Sequence, residues 1–195
     1  MTHIDNIPHI LKCGITHVSS PNCNKQYIPI GDSSLINSRA GFIMPNGKKI
    51  GTYIPFYFWG RMPMLYVIQK GFNNVAVTNP ENIVYCVLTI AKVIEHKLEF
   101  VFTNGHAVDQ YSDFFGITDI AQIENIVDFN AVKTQYWKND NDLDLKRRKE
   151  AEFLIGCDIP VTAIAGYIVY SENACVKLQQ MGVKNEIRIN NNFYF

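Results

Sequence analysis

Ile83-Val-Tyr-Cys-Val-Leu88 is a near-continuous apolar run of strand length. It does not alternate with polar residues, so it reads as a central strand buried on both faces. The rest of the chain must supply the layers that cover it. Further strands are expected at Tyr53–Phe58, with Pro55 pointing to an edge or a bulge, and at Glu99–Thr103, closed by the turn Asn104-Gly105. Others fall at 151–156, Ile164–Tyr170 and Glu186–Ile189. Asp5-Asn6-Ile7-Pro8 opens a helix whose stripe is Ile7, Ile10 and Leu11, and Gly14 stops it. Met64–Gln69 suits a short helix closed by Gly71, with strand nearly as compatible. Helices are also expected at 119–127, 129–137 and 143–150, and at Glu172–Met181 between Ser171 and Gly182. Strands cluster in the middle and at the end, so the pattern is not a βαβ repeat. It predicts an α+β fold with a mixed, largely antiparallel central sheet, flanked by helices and long loops.

The length, 195 residues without a repeat or a separating linker, suits a single domain over 1–195. Residues 16–52 and 107–118 read as loops, and a connection as long as the first is usually a functional lid or binding segment, or else disordered. No apolar run is long enough to span a bilayer as a helix, and Met1 leads at once into polar residues without a signal-peptide pattern. A cytoplasmic location is expected. Five widely spaced cysteines show no zinc-ligand spacing, so reduced thiols and no metal are expected. The formal net charge is zero, and any nucleic-acid contact must come from a local patch. Twelve Phe, ten Tyr and two Trp supply core volume and also surfaces that stack on flat ligands.

The strongest local patch is Lys146-Arg-Arg-Lys-Glu150, which runs directly into Ala-Glu152-Phe-Leu-Ile155. Four cations in five residues suit either a phosphate-binding rim or a solvated helix face. Glu152, at the start of a strand, is either an outward polar residue or a carboxylate facing a cleft. Other segments carry the same ambiguity. His3 beside Asn6 suits exposed polar surface or a ligand contact. Gly31-Asp32-Ser33-Ser34 followed by Arg39 suits a turn or an anion site. Arg61-Met-Pro-Met64 suits core or ligand wall, and His106 stands just past a strand end, where binding residues tend to sit. No glycine-rich phosphate loop, HExxH or GxSxG is present.

Taken together, six segments resemble the DarT DNA ADP-ribosyltransferases, toxins of bacterial toxin–antitoxin pairs. They are Thr2-His3-Ile-Asp-Asn6, Ile30-Gly31-Asp32 with Arg39-Ala-Gly41, Tyr53-Ile-Pro-Phe-Tyr-Phe58, Arg61-Met-Pro-Met64-Leu-Tyr66, Phe102-Thr-Asn-Gly-His106-Ala, and Glu150-Ala-Glu152-Phe-Leu. Their order and spacing run through nearly the whole chain, and the closing Phe193-Tyr-Phe195 fits too. Three features depart from the pattern. The family's usual His or Arg before the Thr-His-Ile segment would precede Met1, so either the start lies upstream or NAD is bound with one contact fewer, and His3 is the nearest candidate. Asn104 replaces an Asp, and Met62 replaces a Ser.

The resemblance implies transfer of ADP-ribose from NAD to a base of single-stranded DNA, thymine before guanine, which blocks replication. Protein modification, plain NAD hydrolysis and a non-enzymatic nucleic-acid-binding module are the alternatives. It further implies Glu152 and Arg39 as the catalytic pair, with Glu152 stabilising an oxocarbenium ion and accepting a proton. NAD would be held by His3, Asn6, Gly31, Arg39 and Tyr66. DNA would meet Arg61, Met64 and His106, with Lys146, Arg147 and Arg148 on its backbone. A macrodomain antitoxin of the DarG type would be the partner. Glu152 is expected at a strand edge, carrying little core packing.

Overall fold

The computed structural model describes all 195 residues. In chain order the elements are β1 (Thr2–His3), α1 (Ile7–Cys13), α2 (Ser33–Ala40), β2 (Ile54–Tyr57), α3 (Pro63–Lys70), β3 (Ile83–Val87), α4 (Ile90–Glu95), β4 (Phe100–Thr103) and β5 (Phe114–Phe115). Then come α5 (Ile123–Ile126), α6 (Phe129–Lys133), α7 (Leu145–Lys149), β6 (Glu152–Ile155), β7 (Gly166–Val169), α8 (Glu172–Gln180) and β8 (Glu186–Ile189). The α+β class expected from the sequence is found, and the mixed, largely antiparallel pairing is shared between two four-stranded sheets. Each sheet belongs to its own compact unit.

The first unit comprises Met1–Asp32, Met64–Leu98 and Cys157–Phe195. Its sheet has the order β1-β3-β7-β8, antiparallel except for the parallel pair β7–β8. The apolar run lies on β3, an interior strand as expected. Ile4, Ile7 and Ile10 pack with Val84, Tyr167 and Val169 and with Ala174 and Leu178 of α8. Each large aliphatic side chain buried in this way contributes about 1.5–3 kcal/mol. A second cluster sets Leu65 and Ile68 of α3 against Ile83 and Tyr194, whose hydroxyl donates to the Ile83 carbonyl at 2.9 Å. Gly14 ends α1 with φ 81, and a Cβ there would run into the Ile159 carbonyl. Only glycine meets both demands.

The second unit comprises Ser33–Pro63 and Glu99–Gly156, with the antiparallel sheet order β2-β6-β4-β5. Its core joins Met44, Ile50 and Tyr53 to Ala107 and Leu154. Pro55 sits on edge strand β2, as its missing N–H requires. The strands β1 and β5 and the helix α4 were not expected, whereas in the long loop, where Ile28–Leu35 reads as a short element carrying Arg39, that arginine stands on α2, which buries none of its residues. Strand β6 is interior, between β2 and β4. Glu152 therefore does not sit at an edge, and the expectation of little packing is corrected: its side chain has 0% exposure.

Candidate active site

Glu152 is placed by both neighbours of its strand. Its N–H donates to Thr103 Oγ1 at 3.0 Å, and the same hydroxyl donates to the Gly105 carbonyl at 2.6 Å. Thr103 thus ties the mouth of the β4–β5 loop to the carboxylate's own backbone. On the side chain, Oε2 accepts from Arg39 Nη2 at 2.6 Å and Oε1 from the Ala107 N–H at 3.1 Å. A buried carboxylate is tolerable only with such compensation. The structure brings the two expected catalytic residues into direct contact, although they are 113 positions apart in the chain.

The loop after β4 carries His106 and Ala107 and is held from α7. The His106 N–H donates to the Arg147 carbonyl at 2.9 Å. The Arg147 guanidinium donates to Asp144 at 2.6 and 2.8 Å, to Ser112 Oγ at 3.2 Å and to Asn104 Oδ1 at 3.4 Å. Gly105 leaves room for it, because a Cβ there would collide with the guanidinium and with Ser112. Burial lowers the His106 pKa against the pull of Glu152 in the other direction, which favours the neutral imidazole.

The basic run divides. Lys149 has no exposed surface; its ammonium donates to the Val132 and Thr134 carbonyls at 3.1 and 2.7 Å, satisfying carbonyls at the end of α6. Burial brings its pKa down to about 8. Arg148 binds Asp128, Asp142 and Asp144. The Arg147 side chain is 14% exposed, whereas Lys146 is 59% exposed and 3.8 Å from Glu150. Of the three residues expected on the DNA backbone, Arg147 and Arg148 also brace the scaffold and Lys146 presents its charge to solvent. Arg61, in the left-handed region at φ 56, lies close enough to Lys149 to depress its pKa.

The expected NAD residues of the first unit are placed as follows. His3 caps the turn that follows it, Nδ1 accepting from the Asp5 N–H at 3.2 Å. Asn6 is buried and internally engaged: Nδ2 donates to Thr2 Oγ1 and to the Ile28 carbonyl, both at 2.9 Å, and Oδ1 accepts from the Ile28 N–H at 2.9 Å. It braces the Asn24–Ile28 loop. Gly31 is half-buried just before the buried Asp32. Tyr66 stacks on Phe72 with centroids 5.4 Å apart and meets Phe195 edge-on, while Met64 packs beside the Leu65–Ile68 cluster.

Sequence reasoning missed Tyr57, Thr103, Ala107 and a role for Glu150. Tyr57 is the cross-strand partner of Glu152 in the β2–β6 register, so both side chains leave the same face. Burial raises its phenol pKa, Glu152 and Glu150 add to that, and Arg39 opposes it. The alternation of Tyr53-Ile-Pro-Phe-Tyr-Phe58 could have shown the face but not the register. Ala107 acts through its backbone, which no sequence signal reports.

A carboxylate held by one arginine nitrogen beside a histidine that burial keeps neutral can stabilise a developing sugar cation, and the rest of the arginine can orient anionic groups. Residues 1–195 match a family profile described as "DarT: ssDNA thymidine ADP-ribosyltransferase, DarT". A DNA ADP-ribosyl transferase of Escherichia coli O127:H6 (strain E2348/69 / EPEC) is 33% identical over 183 residues, covering 92% of this chain and 83% of that one. Thermus sp. 2.9 DarT in complex with ADP-ribosylated ssDNA superposes with a TM-score of 0.80 at 30% identity, over 100% of this chain and 93% of that chain. In complex with NAD+ the same protein gives 0.77 at 30%, over 100% and 94%. A DNA ADP-ribosyl transferase-DNA ADP-ribosyl glycohydrolase fusion protein of Thermosipho africanus is 27% identical over 161 residues, covering 80% of this chain and 37% of the fusion. This chain belongs to the DarT family of single-stranded-DNA ADP-ribosyltransferases.

Proposed function

We propose that this chain transfers ADP-ribose from NAD to a base of single-stranded DNA, with thymine as the preferred base. The observation that carries the reading is the Arg39–Glu152 pair at 2.6 Å, set in a chain whose Thermus relative is solved both with NAD+ and with ADP-ribosylated ssDNA. NAD supplies an activated sugar whose bond to nicotinamide breaks with the growth of positive charge at the ribose. Glu152 is fixed from three sides, so its charge is in position before that cation forms and little reorganisation is needed. Arg39 spends one nitrogen on Glu152, and the rest of its planar fork suits the pyrophosphate or a base carbonyl.

His3, Gly31 and Tyr66 hold NAD in this reading, and Asn6 holds the Asn24–Ile28 loop that shapes its site. Met64, Arg61 and His106 meet the base, and Lys146 meets the DNA backbone. Arg147 acts one step back, by fixing the loop that presents His106, and Arg148 fixes the acidic residues around α7. An unpaired strand offers its base without the cost of opening a duplex, which accounts for a single-strand substrate. The whole span 1–195 works as one catalytic domain, in the cytoplasm. The Thermosipho fusion supports a macrodomain glycohydrolase of the DarG type as the reversing antitoxin partner.

The test is to incubate the protein with NAD and each of four homopolymer oligonucleotides, then weigh the DNA. A mass gain of one ADP-ribose on oligo-dT alone is expected. Gain on oligo-dG alone moves the preference to guanine, and free ADP-ribose without a DNA adduct moves the reading to NAD hydrolysis.

A further inference from the structure

Two carboxylates stand two residues apart where α7 gives way to β6, and they are held in different ways. Glu152 has no exposed side-chain surface, with Arg39 on one oxygen and the Ala107 N–H on the other. Glu150 closes α7, its N–H donating to the Lys146 and Arg147 carbonyls at 3.2 Å. Its carboxyl keeps 13% exposure, and the nearest cation, Lys146, is 3.8 Å away, beyond hydrogen-bond reach. Facing it are Lys146 and Lys149 of α7, Glu152 of β6 and Arg39 of α2, with Tyr57 of β2 coupled to both carboxylates.

Stabilising a sugar cation needs only a fixed charge nearby, whereas taking a proton needs contact at about 2.6–3.2 Å. Sequence reading assigns both duties to Glu152, yet both of its oxygens already accept hydrogen bonds, from Arg39 and from the Ala107 N–H. We propose that Glu150 accepts the proton that the DNA base gives up, a proposal that rests on the DNA-transfer reading above. In the step, a ring nitrogen of thymine forms its bond to the ribose C1′ and its proton passes to the Glu150 carboxylate. The bond from C1′ to nicotinamide breaks, and neutral nicotinamide leaves with the electron pair. Solvent recovers the proton from Glu150 through its exposed edge. The environment suits a group that must cycle: burial pushes the Glu150 pKa up to about 7, with Glu152 adding to it and Lys146, Lys149 and Arg39 opposing.

Glu150→Gln preserves shape and removes the base. With NAD and a thymidine-containing single-stranded oligonucleotide, its transfer rate should fall by about 10²-fold or more. The ratio of DNA adduct to free ADP-ribose should fall at least tenfold, on the order of one power of that loss, because water is the less demanding nucleophile. The wild-type rate should rise with pH through about 7, and that limb should vanish in the variant. Glu150→Asp, one methylene shorter, should recover part of the transfer.

A second readout is independent of turnover. A carboxyl whose folded pKa is raised adds stability that is full below its unfolded pKa and is lost as pH climbs through the folded value. Wild type should therefore lose stability between about pH 4.5 and 7 relative to Glu150→Gln, which also establishes that the variant folds. Transfer by a folded Glu150→Gln within twofold of wild type, with its acidic limb intact, overturns the proposal while the DNA reading stands. A wild-type protein that modifies no oligonucleotide overturns both.

Discussion

Asn6 in the first unit and Glu152 in the second are both buried polar side chains with every nearby donor and acceptor engaged. Asn6 is neutral and touches Thr2, the Asn24 side-chain amide and the Ile28 backbone, so most of its capacity goes into holding the Asn24–Ile28 loop. Glu152 is an acid whose partner is a flexible cation on α2, a helix with no buried residue. One arrangement holds a loop, and the other holds a charge. In the reading proposed above, the difference separates a residue that builds a loop from one that acts on a substrate.

The comparison breaks first at Glu152. Glu152→Ala should lower DNA transfer at least ~10³-fold, and it should also destabilise the fold, because Arg39 and the Ala107 N–H lose an acceptor worth about 1–3 kcal/mol. Stability equal to wild type in a urea melt would mean that the carboxylate is not the anchor its contacts describe. Arg39→Ala should reduce transfer by the equivalent of roughly 1.5–3 kcal/mol, about 10- to 150-fold, with Arg39→Lys only partly restored since a point charge lacks the fork. Equal rates for Lys and Arg would reduce that residue to a counter-charge.

Asn6→Ala sharpens the other side. It should cost about 1–3 kcal/mol of stability by stranding the Ile28 backbone groups, and should raise the apparent KM for NAD more than it lowers kcat. A kcat effect as large as that of Arg39→Ala would place Asn6 at the chemistry. The smallest effect belongs to Lys146→Ala, which should flatten the slope of log DNA affinity against log salt by about 0.7 with stability unchanged. Arg147→Ala should do the reverse, lowering kcat through the His106 loop and leaving the salt slope alone.

Much of this was legible in the sequence because the signals were local. Gly14, Gly71 and Gly182, each at positive φ, closed their helices where the residues indicated, and the run at 83–88 became an interior strand. What stayed hidden depended on distance along the chain. The Arg39–Glu152 contact was available only through family resemblance, since no periodicity links residues 113 apart. Placing Glu152 at an edge failed because the pairing order β2-β6-β4 is a tertiary fact. The partners of the basic run were hidden for a related reason: Arg148 pairs with Asp128, Asp142 and Asp144, and Asp128 comes from a different helix start. Composition could show the cations but not who had claimed them.

Gly105 carries a consequence for inheritance. Its missing side chain is the space occupied by the Arg147 guanidinium, and any larger residue there must push that group off Ser112 and Asn104, loosening the loop whose Ala107 N–H holds Glu152. Cells burdened by DNA modification and selected for survivors should therefore yield lesions at codon 105 as readily as at codons 39 and 152. Such survivors would still make an intact, folded protein, one disarmed without a change to any group that meets the substrate.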